Sequence, residues 1–185
     1  MKLNLGCGFD KREGWLNVDH YAPCQPDRLM DIEAVPWDLP TDGFEHVLMR
    51  HVLEHVGADF ATFAAVLREL HRVTAPGGAV ELHLPHVRHD TFWTDPTHVR
   101  AFTPQTFYML SRRLNREWAQ NRANITQLAE IVGVDFEVER VLNVFDDRWV
   151  EKIRSGELTR EQAQEIGKER WNVVREFQVL MRVVK

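Results

Sequence analysis

The stretch that most constrains the fold is the first eight residues, Met1-Lys-Leu-Asn-Leu-Gly-Cys-Gly8, taken with Trp15-Leu-Asn-Val-Asp19 just downstream. Lys2 to Leu5 has the mixed apolar pattern of a short buried strand and runs straight into a Gly-x-Gly turn. Gly6 and Gly8 can take positive φ and, lacking Cβ atoms, let backbone come close to a ligand. A second strand ending on Val18-Asp19 would set a carboxylate beside that turn. A glycine turn with an acid beside it is how a parallel α/β sheet holds a ribose, at the crevice beyond its strand ends. The pair therefore points to a nucleoside-containing cofactor. The dinucleotide fingerprint is incomplete, because Lys11 stands where a third glycine belongs and Gly8 to Asp19 is shorter than the roughly 20 residues expected. A plain glycine turn between two core strands fits the same residues.

A chain of 185 residues is most simply one domain, residues 1–185, large enough to bury roughly 70% of its unfolded surface around one core. Met1 is followed almost at once by strand rather than by a charged start and an apolar run, so no secretory leader is expected. The longest apolar stretch, Phe60 to Leu67, is too short to span a bilayer. Cys7 and Cys24 make no disulfide framework, which fits a reducing cytosol, and the expected location is cytoplasmic. The net charge of -5 argues against non-specific nucleic-acid binding, which depends on summed Lys and Arg. Arg112, Arg113, Arg116 and Arg122 form one basic cluster, read as a solvated helix face.

After Asp19 comes a loop with Pro23 and Pro26, then Leu29-Met-Asp-Ile32 as a short third strand ending near Asp31. Pro36-Trp37-Asp38-Leu39-Pro40 is turn and loop, since two prolines this close exclude a regular helix or central strand. Phe44 to Met49 is a fourth strand, which Arg50-His51-Val52-Leu53-Glu54-His55 leaves. Asp59 is the N-cap of a helix carrying Phe60, Phe63, Leu67 and Leu70 at three- and four-residue spacing. Ala75-Pro76-Gly77-Gly78 breaks that helix, and Ala79 to Leu84 is a fifth strand closed by Pro85. Strands alternating with turns or helices argue for a parallel sheet.

Leu3-Asn-Leu-Gly-Cys-Gly8, Gly14-Trp-Leu-Asn-Val-Asp19, Asp31, His51-Val-Leu-Glu-His55 and Arg72-Val-Thr-Ala-Pro-Gly-Gly78, in this order and spacing, resemble the successive motifs of class I S-adenosylmethionine-dependent methyltransferases. The likeness is to small bacterial and phage-type members with a compressed first βαβ unit, and it covers residues 1 to 110 best. It implies a Rossmann-like α/β fold with a mostly parallel sheet and an antiparallel seventh strand, and S-adenosylmethionine as cofactor. It further implies Gly6 and Gly8, with Cys7 between them, at the methionine end of the cofactor. Asp19, with His20 beside it, matches the acid on the ribose, Asp31 the acid on the adenine amino group, and Ile32 an adenine-packing residue. Arg50 and His51 match the residues bordering the methionine moiety. The acid usual two residues before the first glycine is replaced by Asn4, which keeps hydrogen-bonding capacity but not the charge that would attract an ammonium group.

In the second half, Phe102-Thr103-Pro104 followed by Phe107 is a helix start, with Thr103 as N-cap, proline at the first helical position and the two phenylalanines as a hydrophobic staple. Gly133 ends a short helix from Thr126. Phe136 to Phe145 and Phe177 to Val184 alternate as two more strands. Residues 146–172 between them are longer than the family's short turn, and Thr159-Arg-Glu-Gln162 is a capping box opening an extra helix. Surface elaboration, substrate cover and oligomer contact all fit this inserted segment.

Chemistry-bearing residues concentrate between His83 and Phe102, in a segment leaving the fifth strand on the cofactor edge. Methyl transfer is an in-line displacement, so the enzyme chiefly aligns the reacting atoms and excludes water. A hydroxyl or ammonium acceptor must also lose a proton, which histidine is suited to take. His86 or His98 is the expected base, with Asp95 orienting it, and Trp93 and His89 on the acceptor side, Trp93 by packing or cation–π attraction. These histidines also fit as solvated loop residues or core hydrogen-bonders. His51-Val-Leu-Glu54-His55 matches the H-x-x-E-H of one zinc-peptidase group, but that pattern needs a helix and a third ligand, whereas this one leaves a strand. His83, His86, His89, Asp90, Asp95 and His98 fit a divalent ion as in metal-assisted O-methylation, although the favoured reading has no metal. No Asn/Asp-Pro-Pro-Tyr/Phe tetrapeptide follows the fourth strand, so amino-directed nucleic-acid methylation is disfavoured. The expected function is methyl transfer to a small molecule or glycan through a His/Asp-lined acceptor pocket. The alternatives are a cofactor-binding, non-catalytic subunit of a modification complex, a nucleic-acid methyltransferase, and a nicotinamide oxidoreductase.

Overall fold

A computed structural model describes residues 1–185. Seven strands form one sheet: β1 (Lys2–Leu5), β2 (Leu16–Asp19), β3 (Arg28–Leu29), β4 (Phe44–Arg50), β5 (Thr74–Pro85), β6 (Phe136–Phe145) and β7 (Val174–Val183). Their order is β3-β2-β1-β4-β5-β7-β6. Strands β1 to β5 pair in parallel, and β7 lies antiparallel between β5 and β6. The chain moves outward from β1 in one direction to β3 and then crosses back to place β4 on the other side of β1. That reversal opens a crevice beyond the carboxyl ends of β1 and β4, so Gly6 and His51 come to face one another across it.

Helix α1 (Phe60–Val73) starts where Asp59 accepts a hydrogen bond from the Thr62 amide at 2.9 Å. Its buried face carries Phe63, Val66, Leu67, Leu70 and Val73, the three- and four-residue spacing that lays one apolar stripe on the sheet. Burying each of the larger side chains contributes about 1.5–3 kcal/mol. They join one core with Leu3, Leu5, Val18, Val47, Met49, Val80, Leu82, Phe177, Val179 and Met181. The remaining helices are α2 (Asp90–Thr94), α3 (Pro104–Tyr108), α4 (Arg112–Gln120), α5 (Leu128–Val132), α6 (Asp147–Arg154) and α7 (Arg160–Glu169). Phe102 and Phe107 stack with ring centroids 5.6 Å apart at the start of α3, the staple expected there. Gly133 closes α5 at φ +83°. On α4, Arg113 pairs with Glu137 and Glu117, and Arg116 with Glu130, so two of the four arginines of this basic cluster are ion-paired with neighbouring carboxylates. No helix is long and apolar enough to cross a membrane.

Three boundaries depart from the sequence reading. The third strand stops at Leu29 because β2 ends at Asp19, whose carbonyl takes the Met30 amide at 2.9 Å as the last rung. Asp31 therefore lies in a turn, with its Oδ1 accepting from the Glu33 amide. Ala75-Pro76-Gly77-Gly78 does not separate α1 from β5. Thr74 already pairs with Phe44, and the register shifts before Ala79 meets His46, so the proline and glycines form a bulge within the strand. Gly78 is required there, since a Cβ would stand 2.8 Å from the Ala75 carbonyl oxygen. Finally, β7 begins at Val174 rather than Phe177, which brings Glu176 into the sheet opposite Pro85 and Val144.

Helices α6 and α7 occupy the inserted segment, and α7 opens with the Thr159–Gln162 capping box. They gather a small second cluster of Phe145, Trp149, Ala163, Val173 and Val174.

Candidate functional site

A cavity of about 620 Å³ sits at the reversal point, lined by Gly6, Gly8, Asp19, His20, Met30, Asp31, Ile32, Glu33, His51, Val52, His55, Val56 and Thr97. Its size is that of a nucleoside-scale ligand site. Gly6 and Gly8 have φ of +65° and +49°. A Cβ on Gly6 would stand 2.3 Å from Val52 Cγ2, so the turn closes onto the residues leaving β4 only because that position is glycine. Asp19 is buried at the end of β2, where one carboxylate oxygen accepts from the Gly8 amide and the other from the Tyr21 amide, both at 2.8 Å. An ionised carboxylate has about four lone-pair sites. Two are therefore committed to shaping the turn, which leaves about two more able to accept. Asp31 and Ile32 line the same cavity further along.

Three of the residues expected to hold the cofactor do not line this cavity. Asn4 is buried beneath the turn, where its Nδ2 donates to the Asp10 carbonyl at 2.9 Å and to Asn17 Oδ1 at 3.1 Å. Both partners are acceptors, which explains why an amide stands where the family usually has an acid. Cys7 is packed within the Cys7, Asp19 and Cys24 cluster, and burial pushes its thiol up to about 11. Arg50 pairs with Asp10 at 3.2 Å and lines a neighbouring cavity instead.

That second cavity, about 240 Å³, is lined by Arg50, His51, Pro85, Thr91, His98, Arg175 and Glu176. His51, which borders both cavities, follows directly on β4 with φ of +53°, an uncommon conformation for a residue other than glycine. Its Nε2 is 2.7 Å from Glu176 and its Nδ1 3.5 Å from Glu54. The hydrogen bond to Glu176, and after it the nearby Glu54 carboxylate, raise the imidazole to about 9 against the downward push of burial. Burial pushes Glu176 upward, but the hydrogen bonds from His51 and Gln178 and the nearby histidine charges outweigh it and hold the carboxyl at about 2. His83, on β5, pairs with Glu81 at 2.8 Å and stands 3.8 Å from Glu176.

The expected acceptor residues scatter. His98 lines the smaller cavity, its Nδ1 2.6 Å from the Phe92 carbonyl. His86 lines neither cavity, accepts the Arg88 amide on Nδ1 and packs edge-on against Phe177, where burial lowers its affinity for a proton. Asp95 does not orient either histidine directly, since its Oδ1 takes both the amide and the hydroxyl of Thr97. Trp93 is exposed, donates to the Val87 carbonyl and lines neither cavity. His89 is buried, caps α2 and reaches Asp146 at 3.3 Å, which ties it to the inserted segment. The residues of the alternative divalent-ion reading, His83 to His98, are thus dispersed over a strand, a helix cap and two loops. Glu33, Thr97 and Glu176 are cavity residues that the sequence reading did not single out, and His55 entered it only as part of the motif leaving β4.

Residues 3–82 match the family model described as a methyltransferase domain. No curated protein matches the chain. Among solved structures, a SAM-dependent methyltransferase from Archaeoglobus fulgidus shares the fold at a TM-score of 0.62 and 17% identity, over 98% of this chain and 85% of that one. A S-adenosylmethionine-dependent methyltransferase from Mesorhizobium loti superposes at 0.54 with 19% identity, over 98% and 90%. A chain from the complex of the Haloferax volcanii Trm112 methyltransferase activator with a methyltransferase superposes at 0.54 with 13% identity, over 100% and 82%. Likeness at these identities is likeness of fold.

Proposed function

We propose that the chain is a class I S-adenosylmethionine-dependent methyltransferase, a reading supported by the methyltransferase-domain model over residues 3–82 and by the shared fold, and we infer the acceptor side of the reaction from it. The cofactor supplies a methyl group on a sulfonium, which an acceptor displaces in line. Gly6 and Gly8 form the cradle, Asp19 takes the ribose hydroxyls, and Asp31 and Ile32 receive the adenine. His51 and Val52 close the methionine end. The acceptor is a small molecule or a glycan that approaches through the smaller cavity, where His51, His98, Arg50 and Glu176 offer charge and hydrogen bonds. That cavity suits a compact polar acceptor, and the net charge of -5 gives no support to a polyanionic one.

The observation that carries this reading is that Gly8, Asp19 and Asp31 line one cavity whose far wall is formed by residues leaving β4. Titration calorimetry with S-adenosylmethionine, S-adenosylhomocysteine and NAD tests the cofactor side. Binding of the first two and not of NAD is expected, and Asp19→Ala should weaken S-adenosylhomocysteine at least about tenfold through lost charge-assisted hydrogen bonds. NAD binding alone would overturn it. Methyl transfer from labelled cofactor to a panel of small hydroxyl, amine and sugar acceptors tests the rest. Labelling confined to nucleic acid would replace the acceptor class, and cofactor binding with label reaching none of these classes would favour a non-catalytic subunit.

A further inference from the structure

Glu54 is the most exceptional carboxylate in the molecule. It is fully buried, and neither carboxylate oxygen accepts a hydrogen bond from the protein. His51 at 3.5 Å makes a charge contact without hydrogen-bond geometry. A buried carboxylate without donors is costly by several kcal/mol; the His51 imidazole offsets part of that by charge alone, and the acceptor sites of both Glu54 oxygens stay open to a further cation. Two imidazoles complete the surroundings: Glu54, His55 and His98 each offer a ligand atom within 4.8 Å of the others. The rings of His55 and His98 meet edge-on, centroids 4.6 Å apart.

The hydrogen bonds around these histidines fix the nitrogen that remains free. His98 Nδ1 lies 2.6 Å from the Phe92 carbonyl, which can only accept, so Nδ1 carries the proton. The Thr97 hydroxyl donates to Asp95 at 2.6 Å, so its oxygen accepts from His55 Nδ1 at 2.9 Å. In both rings Nε2 is left with a lone pair. Histidine ligands to metals typically donate their other N–H to a carbonyl or carboxylate in this way. The backbone supports the same grouping, because the Glu54 carbonyl accepts from the amides of Val99 and Arg100 and so pins the loop bearing His98 to the turn bearing Glu54 and His55.

We propose that Glu54, His55 and His98 bind a divalent transition-metal ion of the zinc type at the wall between the two cavities. Two imidazoles and one carboxylate suit such an ion better than magnesium or calcium, which prefer oxygen ligands. Three protein ligands leave a coordination position open, as in catalytic rather than structural zinc sites. His55 and Thr97 border the larger cavity and His98 the smaller, so the open position lies where an acceptor oxygen would come to rest. The role in holding that oxygen depends on the methyltransferase reading, whereas the site itself does not. Asp95 becomes a positioning residue, acting on His55 through Thr97.

Calorimetry with zinc chloride on the full chain, stripped with chelator and desalted, tests the site. One equivalent should bind, and Glu54→Gln and His98→Ala should each weaken binding by about 100-fold or more, beyond the 10–100-fold typical of outer-shell changes. Thr97→Val should fall within that smaller range, and His71→Ala, whose ring bonds the Val184 carbonyl, should leave affinity unchanged. Absence of zinc binding, or affinity equal in all variants, overturns the proposal. Because replacing a buried glutamate can unfold the turn, cobalt(II) absorption on the unaltered chain provides a check without substitutions. Visible d–d bands of a four- or five-coordinate nitrogen and oxygen site are expected, and a spectrum like that of aqueous cobalt overturns it. S-adenosylhomocysteine binding measured on the same samples separates the two readings, since its retention without zinc binding removes the metal site alone.

Discussion

Replacing Asn4 by Asp changes one NH₂ for an oxygen at almost constant volume, and the structure makes it a severe substitution. Asn4 Nδ2 donates to the Asp10 carbonyl at 2.9 Å and to Asn17 Oδ1 at 3.1 Å. Asn17 cannot turn its amide over to help, because the same Oδ1 accepts the Arg12 amide at 2.7 Å while its Nδ2 bonds the Arg12 and Trp15 carbonyls and Asp27. The ionised carboxylate introduced by Asn4→Asp would therefore meet two acceptors at hydrogen-bond distance in a buried site. Leaving buried groups unsatisfied costs about 1–3 kcal/mol each and more when charge is involved, so a loss of roughly 2–4 kcal/mol follows at pH 8. Protonation of the new carboxyl recovers one donor, which raises its folded-state pKa above its unfolded value. At ~1.4 kcal/mol per unit, that loss corresponds to a rise of roughly 1.5–3 units. Such a group has its full stability below the unfolded pKa of ~3.9 and loses it as pH rises through the folded value. The difference between Asn4→Asp and the parent should be small near pH 3.5, widen through roughly pH 4–7 and then level off. Urea unfolding of both proteins across that range measures it, and groups common to both cancel. Equal stability at pH 8, or a deficit that narrows as pH rises, would refute the assignment of Asn4 as a double donor beneath the glycine turn.

Further substitutions test the glycine turn and the buried carboxylate of α1. Gly6→Ala and Gly8→Ala both put a side chain at positive φ, costing about 1–2 kcal/mol, but only Gly6 faces an obstruction, with Val52 2.3 Å from the new Cβ, whereas Gly8 has nothing within 4 Å. Thermal unfolding should rank Gly6→Ala worse by an additional ~1–3 kcal/mol of overpacking, and Val52→Ala in the Gly6→Ala background should return part of it; equal melting temperatures for the two alanine variants would contradict the close approach. The Glu69 carboxylate accepts from Arg72 Nε at 2.8 Å, Arg72 Nη2 at 2.7 Å and the Trp37 amide at 2.6 Å. The Arg72 hydrogen bonds hold it below the usual glutamate range against the upward push of burial. Its stabilisation is present above the unfolded pKa and is lost as pH falls through the folded value. Glu69→Gln should accordingly be less stable at pH 7 and converge on the parent in acid, as denaturant titrations at pH 7 and pH 3 would show.

The glycine turn, the acid ending β2, the α1 stripe and the β6–β7 pair were legible because each is a local pattern. Positive φ, a period of two or a period of 3.6 is written within a few consecutive residues. The same logic explains the missed boundaries. Whether Leu29 continues a strand, or Val174 begins one, depends on whether a partner strand still has a free edge, and no short window contains that partner. The short helix α2, with Asp90–Thr94 inside a histidine-rich run, has too few residues to show a period.

The site divides along the same line. The order of motifs alone determined that a glycine turn and two acids, Asp19 and Asp31, belong to one edge of a parallel α/β sheet, where they line one cavity, and it is this order that motivates the proposal of a nucleoside-bearing cofactor. Which histidines share a space was decided only by the fold. Sequence proximity groups His83, His86, His89 and His98, yet alternation along β5 and the capping of α2 send the first three apart. The reversal of strand order at β1, together with the Glu54 carbonyl holding Val99 and Arg100, instead brings His98 to Glu54 and His55, more than forty residues earlier in the chain. Local chain stiffness sets an element's identity, but contacts across such separations arise only when the whole sheet closes, because their loop entropy is recovered by burial elsewhere in the core.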